Sequence, residues 1–248
     1  NLTLRITGRN AQGYHSLGSG VLKFPRGETL RFLEAAPQEL PFERDQVETQ
    51  NYPIEGTNIL LRALDVMRPK HPSFPFQNII IEKNIPPGTG VGGGSGNLAA
   101  FLEWMERRHG ITLEEKEIAL LGADVPFLHS PYRGAFLTGI GEKIEPIHMD
   151  LDCVAILCFP EWSSQTAEAY RDLDEKESQG SLSWSSEASA REEMFSLMRK
   201  LRRGEVCGLL PNDFLSVLPF QEAYAAFFSL ASSEGALAWG VSGSGSSM

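Results

Sequence analysis

Pro86–Gly96 reads PPGTGVGGGSG and runs directly into NLAAFLEWMERRHG. Six glycines in eleven residues are entropically expensive to order unless something must come close to the backbone. Upstream, NIIIEKN reads as a strand feeding this loop. Downstream, Leu98, Phe101, Leu102 and Met105 fall at i, i+3, i+4 and i+7, one face of a helix. Arg107, Arg108 and His109 suit the negative end of that helix, and Gly110 suits the position just past it. The loop therefore lies at a helix start, where unpaired N–H groups and a partial positive charge favour an anion. Ser95 could add a hydroxyl to a phosphate or to Mg²⁺. A tight turn packed against the protein itself is the other reading, and it would account for two or three of the glycines.

Two familiar fingerprints fail in this context. Gly88, Gly90 and Gly93 satisfy G-x-G-x-x-G, but a dinucleotide fold needs a second strand carrying an acid about 20 residues on. Here the helix is still running at His109, and Thr112 with Glu115 reads as the capping box of a further short helix closing at Gly122. A P-loop needs Lys–Ser/Thr after its last glycine, and GSG has neither.

Length and charge narrow the remaining classes. The chain has 248 residues and a formal charge of −10, enough for one large domain or two small ones. That charge argues against a nucleic-acid groove, where a basic balance is expected. No apolar run approaches the ~18–20 residues that cross a bilayer, and no signal-peptide pattern opens the sequence, so a cytosolic protein is expected. Cys153, Cys158 and Cys207 lack metal or disulfide spacing and read as reduced core residues. The five histidines are scattered, which offers no transition-metal set. Leu2–Gly8, Tyr14–Phe24 and Thr29–Leu33 read as strands, with NAQG as a turn. GTNILLRALDVMRPK reads as a helix stopping near Pro69, GAFLTGIGEKIEPI as a hairpin, and CVAILCFP as a buried strand. Lys176–Ala190 is the most linker-like stretch, and a domain boundary is expected near residue 150. The sequence starts at Asn1 inside a strand-like alternation and stops at Met248 after a glycine-rich run, so both ends read as cut through structure.

Four stretches carry candidate chemistry. GADVPFLHS places Asp124 before an apolar segment, and Val125, preceding Pro126, is expected to be extended. Asp124 reads either as a turn cap or as a general base for a hydroxyl, a group that phosphoryl transfer needs beside a phosphate cradle. GYH at Gly13–His15 and TAEAY at Thr166–Tyr170 supply aromatics that are either strand and helix packing or a stacking platform for a base. GVSGSGSS at Gly240–Ser247 is a second glycine–serine loop, read as a donor loop or a flexible tail.

PPGTGVGGGSGNLAA resembles the phosphate-binding motif of the GHMP kinases, and VSGSGS resembles their third motif. NLTLRITGRNAQGYH, TNIL, LGADVPF, GIGEKIEPI, TAEAY and PNDF are similar to one branch of that family. That branch phosphorylates 4-diphosphocytidyl-2-C-methyl-D-erythritol in the non-mevalonate route to isoprenoid precursors. The resemblance spans nearly the whole chain, and GYH and GADVPF are its specific parts.

The resemblance implies a two-domain α+β GHMP-kinase fold. An N-terminal, ribosomal-protein-like, ATP-binding α/β domain would cover 1–150, and a ferredoxin-like α+β domain, incomplete at its end, would cover 151–248. It implies ATP and Mg²⁺, with no metal ligands assigned, and transfer of the γ-phosphoryl group to a 2-hydroxyl. Asp124 would be the catalytic base. Pro87, Gly88, Thr89, Gly90, Val91, Gly92, Gly93, Gly94, Ser95, Gly96 and Asn97 would hold the ATP phosphates and the helix start, with Asn58 and Lys83 beside the adenine. Tyr14 and Tyr170 would sandwich the cytosine, and His15 would hydrogen-bond its edge. Asn1 and Thr166 would meet the substrate, Thr166 near its diphosphate, and Gly243 and Ser244 would close over it. The expected partners are ATP and this small molecule, with neither nucleic acid nor membrane, in a monomer or homodimer. The expected compartment is the cytoplasm, or the plastid stroma in a plant.

The sequence also departs from the family. The family's catalytic lysine falls two positions before Asn1, Gly96 replaces the more usual small hydroxyl residue or alanine, and the strand and helix after SGSGS are absent. Two alternatives follow. A kinase for another small alcohol, such as homoserine or mevalonate, is disfavoured because those substrates carry no base to stack. A catalytically inactive nucleotide-binding regulator would be favoured by a natural start at Asn1.

Overall fold

The structure is a computed structural model that describes residues 1–24, 27–33, 42–54, 56–148 and 150–248. Strands β1 (Thr3–Arg9), β2 (His15–Leu22), β3 (Thr29–Leu33) and β4 (Gln46–Gln50) come first. Next are α1 (Ile59–Met67), β5 (Asn78–Glu82), α2 (Gly93–His109), α3 (Glu115–Leu121) and α4 (Val125–His129). The hairpin β6 (Gly134–Thr138) and β7 (Lys143–Pro146) leads to α5 (Thr166–Ser178) and α6 (Glu187–Arg202). The chain ends with β8 (Gly208–Leu209), a 3₁₀ turn at Asp213–Ser216, α7 (Gln221–Ser233) and β9 (Ala238–Trp239). Helices and mainly antiparallel sheets give the expected α+β class.

The elements gather into two compact units. One holds Phe24–Pro87 with Gly92–Pro131, and the other holds Asn1–Lys23, Gly88–Val91 and Tyr132–Met248.

In the Phe24–Pro87 and Gly92–Pro131 unit the sheet order is β3-β5-β4, with β3 antiparallel and β4 parallel to β5. β5 is central, and its alternation sends Ile79 and Ile81 into the core. There they join Leu60, Leu64 and Met67 of α1 and Leu98, Phe101, Leu102 and Met105 of α2. The helical spacings seen in the sequence are these buried stripes. Asn58 starts α1 by accepting a hydrogen bond from the Leu60 N–H at 2.9 Å. Gly110 ends α2 at φ 67° after a basic last turn.

In the other unit the sheet β1-β2-β6-β7 is antiparallel throughout. Ala190, Met194 and Met198 of α6 pack with Phe136 of β6. Leu173 of α5 packs with Leu4 and Ile6 of β1 and with Phe214.

Several sequence expectations are corrected. The capping box of α3 is formed by Glu114 and Glu117 rather than Thr112 and Glu115. The Glu114 carboxylate accepts the Glu117 N–H, two positions beyond the Glu115 N–H that the Thr112 hydroxyl was expected to accept. Val125 is helical, because Pro126 falls in the first turn of α4, where its missing N–H removes no helix bond. CVAILCFP forms no strand, and Val154 and Ile156 are 90% and 78% exposed. Within that stretch Cys158 exchanges backbone bonds with Met248 at 2.8 and 3.0 Å, too short a pairing to cover the rest. Cys153 is exposed and Cys158 and Cys207 are half-buried, so the cysteines are free but lie outside the core. Of Lys176–Ala190, the first three residues end α5 and the last four begin α6, and 179–186 is the connection that the linker-like composition indicated.

Candidate active site

The predicted residues fall into two groups, one in each unit. In the first, α2 opens at Gly92, whose φ of 72° puts it in the left-handed region, and no side chain caps the helix. A side chain at Gly94 or Gly96 would meet no heavy atom within 4 Å. The space beside the first turn is thus not filled by protein, and the turn's unpaired N–H groups suit an anion. Asp124 precedes α4, and its Oδ2 lies 3.8 Å from where a Cβ on Gly92 would stand. Ser95 Oγ is 3.5 Å from the corresponding point on Gly122. The glycine loop and the acid-bearing turn are therefore neighbours, as the sequence reading required.

Asp124 makes no cap hydrogen bond. The protein atoms crowded around it push its carboxyl above the ordinary aspartate range. The residue is nonetheless exposed at the surface, so the direction of this displacement stands and its size is limited by water.

Behind the loop lies a cluster with one member that the sequence reading missed. Lys83 Nζ is 2.7 Å from Glu28 Oε1, with the two side chains 4% and 1% exposed. Asn97 Nδ2 donates to the other carboxylate oxygen, and the Ile85 N–H lies 3.3 Å from Oε1. Buried charges persist only when paired and hydrogen-bonded, and Glu28 and Lys83 meet that condition together, with the Asn97 amide as a further donor. The available signal was a lone acid just ahead of the strand TLRFL. Asn58 is buried as the α1 cap, and Pro87 is exposed.

In the second group the loop tip Gly88–Val91 packs against the closing glycine–serine loop. Ser247 N–H donates to Thr89 O at 3.1 Å, its hydroxyl donates to the same oxygen, and Ser242 Oγ donates to Gly90 O at 3.2 Å. A Cβ on Gly90, at φ 78°, would collide with Ser242 O and stand 2.7 Å from Gly245 N. The glycines of this stretch therefore have different surroundings. Gly90 makes room for the protein's own backbone, whereas Gly94 and Gly96 face open space.

Asn1 Nδ2 donates to Ser19 Oγ at 2.8 Å, and Asn212 Nδ2 donates to Gly243 O at 2.9 Å. Thr166 and Ser244 share a hydroxyl–hydroxyl bond of 2.8 Å. His15 stacks on Tyr170 with ring centroids 4.6 Å apart and meets Trp184 edge-on. Its Nε2 is 2.6 Å from Asp174 Oδ1, the same oxygen that Arg9 contacts at 2.5 Å. Burial alone would raise the Asp174 carboxyl, but the hydrogen bonds from His15 and Arg9 outweigh it and hold the group below its ordinary value. Tyr14 is 66% exposed, at the end of a turn in which Asn10 Oδ1 accepts its N–H at 2.9 Å. Among the described residues no cluster of three or more His, Cys, Asp or Glu is placed to hold a metal, and no helix is long and apolar enough to cross a membrane.

The fold is that of the GHMP kinase class, and residues 58–129 match the family of GHMP kinases N terminal domains. A solved structure titled as a 4-(cytidine 5'-diphospho)-2C-methyl-D-erythritol kinase superposes with a TM-score of 0.71 at 24% identity, covering 100% of this chain and 85% of the other. A putative homoserine kinase structure from Listeria monocytogenes gives 0.50 at 14% identity, covering 98% and 83%. The 4-diphosphocytidyl-2-C-methyl-D-erythritol kinase of Rhizobium etli (strain CIAT 652) is 31% identical over 250 residues, 97% of this chain and 82% of the relative. The chloroplastic enzyme of that name from Arabidopsis thaliana is 34% identical over 181 residues, 70% of this chain and 46% of the relative. The matched region thus spans about half the length of such plant relatives. The chain belongs to the 4-diphosphocytidyl-2-C-methyl-D-erythritol kinase family within the GHMP kinases.

Proposed function

We propose that the protein transfers the γ-phosphoryl group of ATP to the 2-hydroxyl of 4-diphosphocytidyl-2-C-methyl-D-erythritol. The observation that carries this reading is the placement of Asp124 beside Gly92, at the unfilled start of α2. Phosphoryl transfer is achieved mainly by positioning and charge stabilisation, with a group to accept the hydroxyl proton. The α2 start would bind the phosphates and Asp124 would take the proton. A carboxyl raised by crowding is a stronger base than an ordinary aspartate, which suits the role. Mg²⁺ needs only one or two protein oxygens besides phosphate, and Ser95 Oγ is one that fits.

The remaining assignments are part of the same proposal. Pro87 to Asn97 would line the phosphates, with Asn58 and Lys83 beside the adenine. Tyr14 would offer its exposed ring to the cytosine, together with His15 and Tyr170. Asn1, Thr166, Gly243 and Ser244 would surround the substrate's diphosphate and alcohol end. An ATP-binding domain over 1–150 and a second domain over 151–248 are proposed on the same footing, supported by the family match inside the first; this division along the chain differs from the compact units, in which Asn1–Lys23 groups with Tyr132–Met248. The protein would act as a monomer or homodimer, in the cytoplasm of a bacterium or the plastid of a plant.

The test is an ADP-release assay on protein of verified full length, comparing 4-diphosphocytidyl-2-C-methyl-D-erythritol with homoserine and mevalonate. Turnover with the first alone is expected. Absence of turnover with the first substrate would overturn the assignment.

A further inference from the structure

The start of α2 has little of its own to keep it helical. Gly93, Gly94 and Gly96 fall in its first turn, and glycine loses more freedom on ordering than any other residue. No side chain caps the helix, and its first turn carries no acidic residue. Glu28 supplies from outside what the helix lacks. Its Oε2 accepts from the Asn97 amide, just past that turn, and its Oε1 lies 3.8 Å from where a Cβ on Gly93 would stand. An anion at this end is favoured by the helix dipole. Oε1 also accepts the Ile85 N–H at 3.3 Å. One buried carboxylate therefore holds both the segment before the glycine-rich stretch and the helix after it. Lys83 Nζ, 2.7 Å away, offsets a charge that would otherwise oppose an incoming phosphate.

We propose that Glu28 is the positioning residue of the phosphate turn: it holds the glycine-rich start of α2 in place before ATP binds, acting through Asn97 while Lys83 balances its charge. A turn ordered in advance need not be ordered on binding, which is the gain from preorganisation. Glu28 is buried and would itself touch neither nucleotide nor substrate. The inference rests on the reading of the α2 start as the phosphate site.

Two variants isolate the tether. Glu28→Gln and Glu28→Met both remove the counter-charge of Lys83, but only the glutamine oxygen can still accept from Asn97. The difference between them therefore reports the tether, with the lost charge common to both. In ligand-free protein, NMR should show amide exchange at Gly96, Asn97 and Leu98 about fivefold faster in Glu28→Met than in Glu28→Gln, the scale of one hydrogen bond. Exchange at Leu64 and Met67 of α1 should be alike in the two. Equal acceleration throughout α1 and α2 would make Glu28 a stability residue only and overturn the proposal, as would no difference at the α2 start.

Equilibrium binding should then show ATP held about fivefold more weakly by Glu28→Met than by Glu28→Gln. Partial unfolding would lower the number of binding sites and leave the affinity of those that remain. If Glu28→Met does not fold with Lys83 buried and unpaired, Lys83→Met is added to both variants and the same comparison is made. Equal ATP affinity in the two variants would overturn the proposal. Where exchange responds and affinity does not, the reading of the α2 start as the phosphate site falls with it; where exchange does not respond, the proposal falls alone.

Discussion

Asp124 combines two demands that pull in opposite directions. Crowding raises its folded carboxyl above the reference value of 3.8, so the folded state is penalised once the group ionises. That penalty is absent below the unfolded value and develops as pH rises through the folded one. Asp124→Asn should therefore melt higher than the parent at neutral pH, with the difference vanishing in acid; a difference that does not vary with pH would contradict this. The same variant should keep ATP binding and lose roughly 10²- to 10⁴-fold in turnover, the usual contribution of a general base. The parent's turnover should fall with acidification as Asp124 protonates. Asp124 was legible because GADVPF names it locally. Asp174 and Glu28 were not, because their meaning lies in partners 159 and 55 positions away, His15 and Lys83. No local pattern encodes such pairs.

At the scale of elements, the start of α2 separates stability from function. Gly94 and Gly96 sit inside a helix with open space where a side chain would go. Alanine at either position should stabilise the protein by about 0.5–1 kcal/mol, since glycine is the poorer helix former. If the space is kept for phosphate, the same substitutions should raise the KM for ATP severalfold. Thermal melts and ATP titrations of each variant check the pair, and a higher Tm with unchanged KM would remove the phosphate role. The helices were readable because their apolar stripes have the correct period. β4 was not, because QVETQ has a single apolar residue and becomes a strand by pairing alongside β5. CVAILCFP shows the converse, since apolar content alone makes no strand without a ladder partner.

For the whole molecule, the proposed ligand residues divide between the two units, with Lys83, Gly92–Asn97 and Asp124 in one and Gly88–Val91 together with Tyr14, His15 and Tyr170 in the other. Hydrogen exchange should slow in Lys83 and the first turns of α2 when ATP is added, and in β2 and α5 when cytidine diphosphate is added. Protection of one unit by both ligands, with the other unaffected, would argue against the division of labour. The α+β class was readable from the mixture of periodicities. The interlock of two glycine loops was not, since Thr89 and Ser247 are 158 positions apart. That interlock has a genetic consequence. A Cβ on Gly90 and one on Gly245 would each push the same two backbone segments apart. Once either has done so, the other finds the room already made. The double Gly90→Ala, Gly245→Ala variant should lose less stability than the two single losses added together, so a scan of single changes would score as two vulnerabilities what the fold treats as one joint.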